Sequence, residues 1–228
     1  MMSRRSRRKR KSGKRELRLS RKRKREQLAR LSRELNVLPV EPMPVSVDGT
    51  VPGTGWIFPS EIKAIREAVL EFQTSETGGE TWGFWNERGE PVICLVTGPG
   101  PNACRSSVSF TQDQEWAARL SREIIDSTAL SLIGFWHSHH QLGLDRPSYG
   151  DVASAVRTVR DLSVTRFLCC IANIRPGGGV SFIPYCFTKD GGGNHASVDL
   201  FVPPKATVSP FRAIWDRDSD RMSGRVVA

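Results

Sequence analysis

The stretch Leu130–Asp151, LSLIGFWHSHHQLGLDRPSYGD, decides how this chain is read. Its first seven residues are mostly apolar and predict a strand over 130–136 that runs straight into His137. In an extended chain, residues two apart point to the same side, so His137 and His139 can aim both imidazoles at one point. Gly143 and Pro147 then mark a loop, and Ser148 with Asp151 stand at the spacing of a helix start. An Asp in that position can turn back toward the strand end and add an oxygen donor to the two imidazoles. Three such ligands leave a fourth tetrahedral position for water, the arrangement of a catalytic rather than a structural zinc. Plainer readings exist for each part. A His pair at this spacing arises by chance, and Ser-x-x-Asp is an ordinary cap whose side chains satisfy free backbone amides. The succession of strand, H-x-H, loop and cap weighs toward a metal.

Outward from this stretch, residues 60–72 place Ile62, Ile65, Val69 and Phe72 on one helical face, with Pro59 near the start. Residues 80–86 and 91–97 predict two strands about a turn at Glu87–Gly89, followed by a rigid loop at Gly98–Pro101. A second helix is expected over 112–126, with Trp116, Leu120 and Ile124 spaced four apart. A third begins about Ser148 and carries Val152, Ala155, Val156 and Val159. Residues 166–174 and 179–187 read as a strand pair about Pro176–Gly179, with one more strand at 196–202. This order predicts an α+β fold in which helices flank a mixed central sheet. Trp82, Trp85, Trp116 and Trp136 read as core or groove walls, Cys169 and Cys170 as strand core, and His195 as a loop residue.

Charge divides the chain more sharply than length does. Of 228 residues, 34 are Lys or Arg and 24 are Asp or Glu, a net of +10 that taken whole suggests a nucleic-acid binder. Seventeen of those bases but only three of the acids lie in residues 1–35, which therefore carry +14 while the remainder carries −4. Residues 1–35 read as a basic arm, with a short helical edge formed by Leu17, Leu28, Leu31 and Leu35. Residues 36–55, with four Pro and three Gly, read as a linker, residues 56–208 as the folded domain and 209–228 as a tail without assignment. The basic start has no apolar segment of the kind that follows in a secretory signal, and no 18-residue apolar run is present. Cys94, Cys104, Cys169, Cys170 and Cys186 form no C-x-x-C pair and read as reduced core thiols. A cytoplasmic protein without a membrane partner is the expectation.

The histidine stretch resembles the JAMM motif of the JAB/MPN metalloproteases, in which an upstream Glu precedes H-x-H, seven residues and S-x-x-D. The segment Glu76-Thr77-Gly78-Gly79-Glu80-Thr81-Trp82-Gly83 is similar to the family's Glu-bearing segment. The resemblance spans about residues 56–190 and implies the cytidine-deaminase-like fold of that family. It departs at two points: eight residues separate His139 from Ser148, and His140 stands where Pro is usual. Asp145 is the alternative third ligand, Glu80 the rival to Glu76, and His140 is read as exposed, with a supporting role behind the metal ligands as its alternative.

The resemblance implies zinc on His137, His139 and Asp151, Glu76 as general base and then acid, and Ser148 as donor to the oxyanion. It also implies cleavage after the C-terminus of a ubiquitin-like protein or its conjugates, in a bacterial conjugation system of the antiphage kind. Three other classes compete. They are a metal-free MPN scaffold, a hydrolase of sulfur-carrier adducts, and a protein whose arm holds nucleic acid or another acidic partner. A zinc nucleobase deaminase is disfavoured, since H-x-E with P-C-x-x-C is missing.

Overall fold

The computed structural model describes residues 22, 23, 26, 51–140, 143–204 and 208–212. Lys22, Arg23 and Glu26 are exposed, with Lys22 and Glu26 helical neighbours four apart at 3.8 Å. The remainder of the arm reading, most of the linker reading and the tail beyond 212 lie outside the described residues.

Among the described residues, ten strands and three helices are delimited, in this order. They are β1 (Thr54–Ile57), α1 (Pro59–Glu71), β2 (Gly78–Trp85), β3 (Pro91–Val96), β4 (Cys104–Arg105), β5 (Phe110–Thr111), α2 (Gln114–Ser127), β6 (Ser131–Ser138), α3 (Tyr149–Asp161), β7 (Arg166–Ile174), β8 (Val180–Thr188), β9 (His195–Ser197) and β10 (Asp199–Phe201). Eight strands form one sheet in the order β10-β1-β3-β2-β6-β7-β8-β9, and β4–β5 is a separate small hairpin. The pairs β10–β1, β1–β3 and β6–β7 are parallel and the others antiparallel, so the sheet is mixed.

Strand β7 shows why helices lie on both faces. All but the last of its residues are buried, and period-two alternation divides them. Leu168, Cys170 and Ala172 pack with Ile65, Ala68 and Val69 of α1. Phe167, Cys169 and Ile171 pack with Ala155 and Val159 of α3. On the same face as α3, Leu120 and Ile124 of α2 meet Trp82, Phe84 and Leu95. Helix α2 is capped by Asp113, whose carboxylate accepts the Trp116 amide hydrogen at 3.0 Å.

The expected last strand at 196–202 is two strands. Val198 alone separates β9 from β10, yet these pair with opposite edges of the sheet. The sheet therefore curls until its edges meet, held at the junction by Val198 N–H to the Pro184 carbonyl and Asp199 N–H to that of Gly53. Strand β1 begins at Thr54, inside the range read as linker, and is only four residues long. The β4–β5 hairpin, with two residues per strand, is too short to show a period. His195 opens β9 rather than sitting in a loop, its ring stacked on Phe187 at 4.7 Å. Four cysteines are buried as expected, but Cys104 is exposed on β4.

Past Val208 the described residues dock rather than trail. Arg212, nearly buried, pairs with the fully buried Glu61 of α1 and donates to the Val96 carbonyl at 3.0 Å. Ser209 N–H donates to Ser60 Oγ at 2.9 Å, and Phe211 joins the α2 core.

Candidate metal centre

Strand β6 turns Phe135, His137 and then His139 toward the face that α3 covers. Phe135 lies against Phe167 at 5.5 Å, and Trp136 points the other way into the α1 core. The strand end is built by its neighbours: Ser138 N–H donates to the Thr77 carbonyl at 2.7 Å and His139 N–H to that of Ala172 at 2.8 Å. Ser148 is the N-cap of α3, and a capping box forms in both directions. Ser148 N–H donates to Asp151 Oδ2 at 2.7 Å, and Asp151 N–H donates to Ser148 Oγ at 3.3 Å. The box aims the Asp151 carboxylate at the end of β6, so capping and clustering are compatible uses of the same residue.

The three groups meet. His137 Nε2 and His139 Nε2 are 3.0 Å apart, and Asp151 places Oδ1 3.2 Å from the first and Oδ2 3.4 Å from the second. Donors about 2.0–2.1 Å from one tetrahedral cation stand about 3.3 Å from one another, so these edges fit a single small ion. His139 Nδ1 donates to the Leu144 carbonyl at 2.7 Å, which leaves the Nε2 lone pair of the neutral ring for a cation. The His-His-Asp cluster is thus arranged to hold a metal ion.

Electrostatics describe the same group without an ion. Burial would raise the Asp151 carboxyl, but hydrogen bonds from His137 and His139 outweigh it and hold the group far below its ordinary range. Burial opposes protonation of His139, yet Asp151, the Leu144 carbonyl and Glu76 push its pKa up.

Glu76 lines the same cavity, of about 640 Å³, together with the three cluster residues and Ser148. Burial pushes its carboxyl up from the ordinary value, against the pull of His137 and His139. The glycines after it have a steric reason. A Cβ on Gly78 would stand 2.3 Å from the Trp136 carbonyl oxygen, and one on Gly79 would stand 2.0 Å from that of Thr97.

The rivals lie elsewhere. Glu80 accepts Trp82 Nε1–H at 3.0 Å and the Ser121 hydroxyl at 3.3 Å, packed beneath α2. Asp145 Oδ1 accepts from Arg175 at 2.9 Å and from Asn173 Nδ2 at 2.9 Å. His140 is buried and not exposed, because its ring Nε2 reaches the Ser107 carbonyl of the β4–β5 hairpin at 2.7 Å.

Asn173 was absent from the sequence reading. Its Nδ2 donates to the same Leu144 carbonyl that orients His139, at 2.9 Å, while Tyr185 Oη donates to the Asp145 carbonyl at 2.8 Å. An Asn inside an apolar strand was the available signal.

No family model matches the chain. Over 134 residues, which are 58% of this chain and 81% of the relative, it is 26% identical to a protein of Sinorhizobium fredii named "Probable metalloprotease y4qB". Among solved structures it is similar to protein DSY2949 from Desulfitobacterium hafniense, with a TM-score of 0.49, 14% identity, and coverage of 64% of this chain and 90% of that one. A protein from Salinibacter ruber overlaps with a TM-score of 0.43 at 17% identity, over 68% and 95% of the two chains. Neither overlap bears on function. Among the described residues, no helix is long and apolar enough to cross a membrane.

Proposed function

We propose that this chain is a zinc-dependent peptidase of the JAB/MPN kind, cleaving peptide or isopeptide bonds after the C-terminus of a ubiquitin-like protein. The observation that carries this reading is the meeting of His137, His139 and Asp151 at 3.0–3.4 Å in a cavity that Glu76 also lines. The distant relative named a probable metalloprotease supports it. Two imidazoles and a carboxylate are the donor set of a catalytic zinc with one position open.

When bound, zinc supplies Lewis acidity toward the scissile carbonyl and acidifies a water. Glu76 takes the proton of the attacking water and passes it to the leaving amine. Ser148 Oγ accepts the Asp151 amide hydrogen, which leaves its own O–H to donate to the developing oxyanion. His139 and Asp151 are held for their task by Leu144 and by the α3 cap. The ubiquitin-like substrate and the antiphage setting rest on the motif resemblance. The +14 arm is proposed as a tether to an acidic partner or nucleic acid, separable from the zinc site.

The test is incubation with a ubiquitin-like protein fused at its C-terminus to a reporter. Release of the reporter that stops with a chelator and returns with added zinc is the expected result. Release that is indifferent to the chelator would overturn the metal mechanism.

A further inference from the structure

We infer that His140 is a positioning residue that latches the β4–β5 hairpin as one wall of the candidate cleft. Its kinetic consequence rests on the peptidase reading, while its structural consequence does not. The hairpin has only two residues in each strand, far less than an independent hairpin needs. Its tip closes on itself, with Ser106 N–H to the Ser109 carbonyl at 2.8 Å. From the tip into β5, Val108, Ser109, Phe110 and Thr111 line the same cavity as Asp151, and Val108 is 75% exposed. Something outside the hairpin must set where this wall stands.

Two consecutive tip carbonyls are tied to the two segments that supply the candidate chemistry. The Ser106 carbonyl accepts Glu76 N–H at 2.8 Å. The Ser107 carbonyl accepts from His140 Nε2 at 2.7 Å, across 33 residues of sequence. A carbonyl oxygen can only accept, so this ring nitrogen carries its hydrogen. His140 is one residue past His139, and the backbone there leaves the strand in a left-handed conformation with φ 37°. That is a conformation L side chains rarely adopt, and it persists where surroundings over-determine it. Here Ile174 N–H donates to the His140 carbonyl at 2.8 Å on one side, while the ring of this residue, 6% exposed as a whole, reaches the hairpin on the other. The same four-residue run, His137 to His140, thus aims two imidazoles at the cluster and a third at the wall.

Because the latch acts on the wall and not on the cluster donors, its loss changes substrate binding more than metal binding. Three variants separate the ring's hydrogen bond from the backbone conformation. H140A removes the donor, H140Q restores an N–H of similar reach, and H140G removes the donor while accommodating φ 37° without strain. Hydrogen exchange across residues 106–111 is the direct readout, with zinc content and cleavage of a ubiquitin-like fusion measured alongside. The latch predicts exchange at least about tenfold faster in H140A and H140G, with H140Q within about threefold of the parent. It predicts a KM raised about tenfold in both with kcat within about threefold, one zinc retained, and both parameters rescued in H140Q. Unchanged exchange in H140A overturns the latch, and so does recovery in H140G, which would assign the effect to backbone strain. If the parent does not cleave the fusion, the peptidase reading fails by itself, and the exchange comparison still decides the latch.

Discussion

His139 Nδ1 lies 2.7 Å from the carbonyl oxygen of Leu144, and this contact determines which ring nitrogen faces Asp151. The carbonyl accepts the Nδ1 hydrogen, so Nε2 is the atom left to ligate. The same carbonyl accepts Asn173 Nδ2–H at 2.9 Å. Deleting that support in N173A is expected to lower zinc affinity about 10- to 100-fold, as losses of outer-shell partners do. Competition against a zinc indicator measures it. Unchanged affinity would show that Leu144 holds His139 unaided.

Glu76 shares the cavity with the cluster but is assigned no bond to the ion. E76Q should therefore keep its zinc while kcat falls by about 10²–10⁴, the scale of general acid–base catalysis. Metal analysis and steady-state rates on one preparation test this together. Full activity would remove Glu76 from the mechanism.

Ser148 has two roles that separate by comparison with Asp113. Each caps a helix, Ser148 on α3 and Asp113 on α2. S148A and D113A should each cost about 1 kcal/mol of stability, the usual worth of a cap. Only S148A should lower kcat as well, by about 10²–10³, the scale for loss of an oxyanion donor. Urea denaturation and kinetics on both variants check the split. The Asp113 cap is also pH-dependent with a definite sign. The Trp116 amide hydrogen bond holds its carboxyl below the ordinary value. Its contribution is therefore complete above the unfolded value near pH 4 and is lost as pH falls through the depressed folded one. In D113A, the acid limb of stability should flatten accordingly.

Arg212 neutralises Glu61, whose Oε2 also accepts Val96 N–H at 2.8 Å in the fully buried space beneath α1. R212A strands that carboxylate and should destabilise by about 3–5 kcal/mol. The two residues are 151 apart in sequence. Truncation at residue 208 should cost at least as much as R212A, measured as the shift in urea midpoint.

What could be read beforehand follows from the range of each interaction. His137, His139 and Asp151 were legible because a strand end and a helix cap are local patterns, and the chain between them spans few residues. The flanking helices were legible from periodicity, as in Ile65 and Val69 facing Leu168 and Cys170. His140 was misread as exposed because its burial depends on a hairpin whose two-residue strands carry no periodic signal. Arg212 had no reading because nothing near it in sequence identifies Glu61 as its partner. The break at Val198 was invisible for a related reason, since apolar character continues while the strand changes edges.

Native mass spectrometry of the purified chain, beside H137A and D151A, tests the central claim most directly. The account predicts one zinc per parent chain and loss of that zinc in both variants, with the fold retained by circular dichroism. A parent chain that binds no zinc, or variants that keep it in full, would contradict the account.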